Sequence, residues 1–280
     1  HGRRARSEKS SAMDNLRRGI NQVRDSLVEL DQQYAQSLGT LDDQVGSAQQ
    51  QLEDETNLAL DVIRQNEIDF TKQILEQELY ATLQEYAAKA AWGVVMDVQT
   101  GEVIALASLP DFNPNELAAS DPATWRNRAM YDLYELGSAF KILTAAMALE
   151  DGITSLDEQY DVRHPLDVGN KTISDYHPKG GFMTLSEILQ HSSNIGISRI
   201  ALKLGTARQR DYLAALGLTG HLATELPEIR TPMLPVRWGD VETATVSYGH
   251  GIAVTPLQLT AAIAASVNGC RYLTPAFVKV

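Results

Sequence analysis

Ser138 and Lys141, within Tyr134-Glu135-Leu136-Gly137-Ser138-Ala139-Phe140-Lys141, are the residues whose types and spacing most directly suggest chemistry. On a helix, side chains at i and i+3 share a face, so both can open into one pocket. A serine hydroxyl is a poor nucleophile until a base takes its proton. A lysine can be that base only if desolvation or a nearby cation lowers its pKa toward neutrality. A helix start adds a positive field that favours the developing alkoxide. Gly137 suits a tight turn into that helix and leaves room for a substrate backbone. The spacing alone is weak: 17 Ser and 8 Lys in 280 residues give roughly half of one such match by chance. A capping serine beside a surface lysine is the commoner meaning of such a pair.

A second element changes the odds. His191-Ser192-Ser193-Asn194-Ile195-Gly196 closes a segment that opens with the capping box Thr184 to Glu187. Ser192 can relay a proton between a leaving group and a lysine, and the Asn194 amide can hold a substrate amide and hydrogen-bond the base. Alone, Ser-x-Asn reads as a polar helix end.

Together, Ser-x-x-Lys and the later Ser-x-Asn resemble the signature of the penicillin-recognising serine acyl-transferases. The stretches AAWGVVMDVQTGEVIALASLPDFNPN, RNRAMYDLYELGSAFKILT, HSSNIGISRIAL, TELPE and VSYGHGIAVTPLQL follow in order. They are similar to class B penicillin-binding proteins, specifically the division-specific penicillin-binding protein 3 type of alphaproteobacteria, and the similarity spans residues 68–280. A β-lactamase or a penicillin sensor shares the two motifs, but the Gly-Ser-x-Phe-Lys context and Tyr-Gly-His-Gly favour the transpeptidase.

The resemblance implies a penicillin-binding protein transpeptidase fold of the serine β-lactamase-like, α/β kind. It makes Ser138 the nucleophile, Lys141 its base, and Ser192 and Asn194 the remaining catalytic side chains, with Gly137 and Ser193 bordering the substrate. The implied reaction is D,D-transpeptidation of peptidoglycan stem peptides in septal wall synthesis, with β-lactams acylating Ser138 and no metal or organic cofactor. The implied setting is the periplasmic face of the bacterial inner membrane, among septal synthesis proteins. Two departures stand out. Ala139 lies where relatives usually carry a small hydroxyl residue, and no Lys-Thr-Gly follows Tyr-Gly-His-Gly. The chain begins with His1 and stops at Val280, so the domain is expected to be C-terminally truncated and without its membrane anchor. The rival function is a non-catalytic interaction protein that uses its N-terminal helices.

Composition narrows the classes further. A formal charge of −12 argues against nucleic acid, whose phosphates call for clustered Lys and Arg. One cysteine, Cys270, excludes an internal disulfide, and six scattered histidines offer no metal site. A buried, inert thiol is the default for Cys270. His177 and His250 are expected to be structural, and Trp92 and Trp238 to serve in packing. No apolar run is long enough to span a bilayer.

Residues 1–66 form a helical segment distinct from a partial transpeptidase domain at 67–280. Leu16, Ile20, Val23, Leu27, Leu30 and Tyr34 step by 4, 3, 4, 3 and 4, and after a step of 4 the stripe resumes at Leu38, Leu41, Val45, Ala48 and Leu52. This suits a coiled coil, with self-association through residues 16–52, or a helical hairpin. Gly39 with Thr40 and Asp43 tilts the expectation toward a hairpin. Beyond it, a short helix at Phe70–Tyr86 leads into a β-hairpin, Ala91–Val98 and Glu102–Ser108. Helices are expected at Ser138–Leu149, from Thr184, and from Pro256 through Ala265, around a largely antiparallel sheet.

Overall fold

A computed structural model describes residues 2–278, and the chain divides into two compact units, residues 1–67 and 68–280. Gly2–Glu85 is a single helix, α1, so the hairpin expected at Gly39 does not form. Thr40 Oγ1 donates back to the Gln36 carbonyl at 2.9 Å, a bond made inside a helix, instead of capping a new one. A lone glycine costs a helix only about 1 kcal/mol, too little to end a run of good helix formers. The helix expected at Phe70–Tyr86 is the end of α1. In the first unit, Leu27, Leu30, Tyr34, Leu38, Leu41, Val45 and Leu52 are exposed. The side chains of Leu16, Ile20 and Val23, which continue that stripe in sequence, lie outside the described residues.

In the second unit the last turns of α1 cover a β-hairpin, β1 (Ala91–Met96) and β2 (Val103–Leu109), paired antiparallel. Gly93 allows the approach, since a Cβ there would lie 2.6 Å from Leu75 Cδ1. The Asp97 carboxylate accepts the Gln99 and Thr100 N–H groups and so shapes the turn between the strands. Ala105 and Ala107, two apart on β2, face the interior. Among the described residues the other strands form two short antiparallel pairs, β3 (Gln159–Asp161) with β6 (Phe182–Thr184) and β4 (Leu166–Val168) with β5 (Lys171–Ile173). The expected largely antiparallel sheet is therefore represented by antiparallel, hairpin-sized pieces.

Helices fill the rest: α2 (Arg128–Tyr131), α3 (Phe140–Glu150), α4 (Leu185–Gln190), α5 (Asn194–Leu204), α6 (Thr206–Ala215), α7 (Asp240–Val246) and α8 (Pro256–Val267). Seven of the eleven residues of α3 are buried, as expected of a helix that is apolar on most sides. It sits between two core clusters: Ala145 and Ala148 pack with Ile188, Ile197 and Ile200, while Phe140, Leu143 and Met147 pack with Leu213, Ile252 and Leu259. The Thr144 hydroxyl donates to the Ser247 carbonyl and ties α3 to the segment after α7. Both expected N-terminal signals form: Thr184 and Glu187 make a reciprocal capping box, and Pro256 occupies the first turn of α8 behind the Thr255 cap. Trp92 stacks against Tyr134, and Trp238 donates to Gln209 beside the second core cluster. Cys270 is exposed, contrary to expectation, because it turns the chain at φ 62° just beyond α8.

A close backbone approach brings Gly249 onto the segment before α3. Gly249 has φ 79°, and a Cβ on it would lie 2.4 Å from the Gly137 carbonyl oxygen and 2.6 Å from the Gly137 nitrogen. Gly152, with φ 66°, meets nothing within 4 Å. Gly152→Ala should therefore lose only the left-handed cost of about 1–2 kcal/mol in denaturant unfolding. Gly249→Ala should lose at least about 3 kcal/mol or fail to fold, because it adds a backbone clash to the same strain. Equal losses would contradict this packing.

Candidate active site

The site assembles where three chain segments meet: the turn before α3, α3 itself, and the junction between α4 and α5. Gly137 adopts φ 56°, and Gly137–Ala139 form a single 3₁₀ turn that feeds α3. Ser138 is consequently exposed at the tip of a buried helix, and Lys141, one turn on, is only 2% exposed. The lysine amine donates to Ser138 Oγ at 3.0 Å, to Ser192 Oγ at 2.7 Å and to the Ser192 carbonyl at 2.7 Å. The third side of the triangle is Ser192 Oγ to Ser138 Oγ, 2.9 Å. An ammonium has three donors, and all three have oxygen partners here.

Burial pulls the Lys141 pKa down to about 8 from its ordinary 10.5, and the Asp175 carboxylate opposes the shift. On losing one proton the amine keeps two donors and gains a lone pair. With the Ser192 oxygens holding the donors, that lone pair is available to the Ser138 hydroxyl. This is the geometry of a base beside its nucleophile.

Ser192 supplies both its hydroxyl and its carbonyl because it has φ 55°, a left-handed conformation uncommon outside glycine. Such strain costs about 1–3 kcal/mol and persists where neighbours enforce it. The neighbours are evident. Ser193 caps α5 by accepting the Gly196 N–H at 3.0 Å, and it donates to Asp175 Oδ2 at 2.7 Å. Asp175 Oδ1 accepts the Ile195 N–H at 2.9 Å, so one carboxylate satisfies donors at the α5 N-terminus and complements its dipole. The Asn194 side-chain amide donates to the Ser174 carbonyl at 3.2 Å.

The expected site residues thus take different places. Ser138, Lys141 and Ser192 are brought together. Asn194 is adjacent, but its amide is held by the 174–175 segment and makes no bond to Lys141. Ser193, expected to border the substrate, is 1% exposed and fully engaged as a helix cap, so its side chain builds the site from behind. Gly137 borders Ser138 through its backbone. Asp175 was missed. In Asp175-Tyr176-His177-Pro178 the histidine is exposed against Tyr176, while the aspartate holds the α5 terminus. His250 is likewise exposed, edge-on to Tyr248, and neither histidine bonds Ser138 or Lys141 among the described residues. Among the described residues no group of three or more His, Cys, Asp or Glu could hold a metal ion.

Residues 91–280 match the family model of the penicillin binding protein transpeptidase domain. The chain is 38% identical over 195 residues to the probable peptidoglycan D,D-transpeptidase FtsI of Caulobacter vibrioides, covering 70% of this chain and 33% of that protein. Two solved structures are similar at 27% identity, each over 75% of this chain. One is a peptidoglycan glycosyltransferase from Burkholderia ambifaria, with TM-score 0.67 and 63% of that chain covered. The other is the transpeptidase domain of penicillin-binding protein 3 from Burkholderia pseudomallei, with TM-score 0.66 and 59% covered. The chain spans about a third of the length of curated relatives it matches, FtsI of Caulobacter vibrioides among them. The serine–lysine–serine triangle, the family match and the shared fold lead to one conclusion: this chain belongs to the penicillin-binding protein transpeptidase family, in its class B, penicillin-binding protein 3 type.

Proposed function

We propose that this chain carries the acylation centre of a serine-type peptidoglycan D,D-transpeptidase acting in septal wall synthesis on the periplasmic face of the inner membrane. The observation that carries the reading is the buried Lys141 amine within hydrogen-bonding distance of both the Ser138 and Ser192 hydroxyls. Ser138 Oγ attacks the carbonyl carbon of the penultimate D-alanine of a stem peptide, and the neutral Lys141 amine takes the hydroxyl proton. The Ser138 N–H is one oxyanion donor, and by family resemblance the Lys-Thr-Gly strand supplies the other. Ser192, bonded to both partners, passes the proton to the departing D-alanine nitrogen as the C–N bond breaks. This leaves an ester on Ser138 and a free amino acid. The amino group of a second stem then attacks the ester, forming the cross-link amide and returning the proton to Ser138. A β-lactam enters by the same first step, its ring amide opening onto Ser138. Other septal synthesis proteins are the partners this setting supplies.

The acylation step is tested with a fluorescent penicillin, read by denaturing electrophoresis and mass spectrometry. A single adduct on Ser138 is expected, lost in Ser138→Ala; an adduct elsewhere, or one that survives this substitution, would overturn the assignment. No Lys-Thr-Gly occurs in the 280 residues. Labelling of a chain of these residues should therefore run about 100–1000-fold slower than that of a chain that includes the strand.

The acylation rate should rise with pH through about 8 and then level, because only neutral Lys141 can accept the proton. A rate flat between pH 6 and 9 would contradict a lysine base. Asp175 generates a separate expectation, since its charge raises the Lys141 pKa and its oxygens hold Ser193 and Ile195. Asp175→Asn should move the midpoint of the pH–rate profile downward and weaken acylation. Asp175→Ala should additionally lower unfolding stability by about 1 kcal/mol, because the Ser193 hydroxyl and the Ile195 N–H lose their acceptor. An unmoved midpoint in Asp175→Asn would confine Asp175 to a purely structural role.

A further inference from the structure

The first unit presents an apolar stripe with no cover: Leu27, Leu30, Tyr34, Leu38, Leu41, Val45 and Leu52 are each between 50% and 66% exposed. Helices in proteins draw most of their stability from packing such a face, so the stripe calls for an occupant. We propose that the occupant is a second copy of the same helix, packed antiparallel about a two-fold axis at Tyr34. This inference is independent of the transpeptidase reading.

Two observations select that partner and that direction. The first is the spacing. From Leu16 to Leu52 the apolar positions step by 4, 3, 4, 3, 4, 4, 3, 4, 3 and 4, the same series read from either end, with Tyr34 at its centre. Laid antiparallel with residue i opposite residue 68 − i, the stripe pairs Leu16 with Leu52, Ile20 with Ala48, Val23 with Val45, Leu27 with Leu41, Leu30 with Leu38, and Tyr34 with itself. Every apolar position meets an apolar position. The extra step that interrupts the heptads falls on the axis, where both copies share it; anywhere else it would throw half of the seam out of register. Ten steps cover 36 residues, a mean of 3.6, so the stripe runs straight along an undistorted helix.

The second observation is charge. Residues 1–24 contain seven Lys and Arg against two Asp and Glu, whereas residues 25–67 contain ten Asp and Glu against one Arg. A parallel pair would stack like charge on like. The antiparallel register lays residues 1–24 over residues 44–67, where five acids face them with one Arg. Flanking the seam, Arg24 follows Val23 and Asp42 follows Leu41, and the register brings them to one side, about 3 Å apart along the axis. The two-fold axis makes that pair twice.

Cysteine cross-linking of the full chain, with Cys270→Ser to remove the exposed native thiol, reads the direction. Leu27→Cys alone and Leu41→Cys alone should give no covalent dimer under mild oxidation. Antiparallel packing sets each new cysteine about 21 Å from its own counterpart, far beyond disulfide reach. Leu27→Cys with Leu41→Cys in the same chain should link efficiently into a dimer. Self-linking of either single variant would show a parallel pair, and a monomer in sedimentation at every concentration tested would show no pair; both overturn the proposal. Charge reversal gives a test that leaves the apolar face intact. Arg24→Asp or Asp42→Arg alone should raise the dimer dissociation constant about three- to tenfold, and the two together should restore it. Losses that merely add in the double variant would also overturn it.

Discussion

The architecture of the second unit depends on keeping one lysine amine out of water. A buried ammonium is costly unless each of its donors is met, and Lys141 meets three oxygens from two residues, Ser138 and Ser192. Two of those oxygens come from Ser192, which reaches them only with its backbone in the left-handed region. The strain is held by the next residues in sequence, where Ser193 caps α5 and Asp175 binds both Ser193 and the Ile195 N–H. The conformation of the Ser192 hydroxyl therefore rests on a helix cap and on a carboxylate from a separate loop.

The same burial sets the chemistry. With its ordinary pKa the lysine would be a permanent cation at neutral pH and no base; desolvation brings it near 8, where a useful fraction is neutral. Asp175 opposes that shift while holding the geometry, so the site balances order against basicity. Placing the pair on α3 serves precision, because that helix is wedged between two core clusters and anchored to Ser247. The exposed Ser138 is thereby presented from a rigid support, with Gly249 packed against the Gly137 backbone behind it.

What the sequence made legible was whatever helical period or capping chemistry encodes locally. The i, i+3 spacing put Ser138 and Lys141 on one face, Thr184 with Glu187 marked the start of α4, and Pro256 marked α8. Relations set by tertiary contact were not legible. Asp175 binds residues 18 and 20 positions away through a loop, and no local pattern announces that a carboxylate will meet a helix terminus. Ser193 sits inside a motif that implies substrate contact, yet the Gly196 N–H three residues on turns it inward as a cap. Gly39 and Thr40 resembled a break, but one glycine is a small penalty against the propensity of α1 as a whole. The apolar stripe was plain in sequence, and its symmetry about Tyr34 acquires meaning once the helix is continuous and that face uncovered.

The role proposed for Lys141 requires burial to bring its amine near neutrality. Following the lysine side-chain resonances of the isotope-labelled chain through a pH titration, with Lys141→Arg to assign the signal, reads that midpoint. A Lys141 midpoint near 8, well separated from the other lysines, is the expected result. A midpoint at the ordinary value near 10.5 would mean the amine stays charged at working pH, and the account of the site would be wrong.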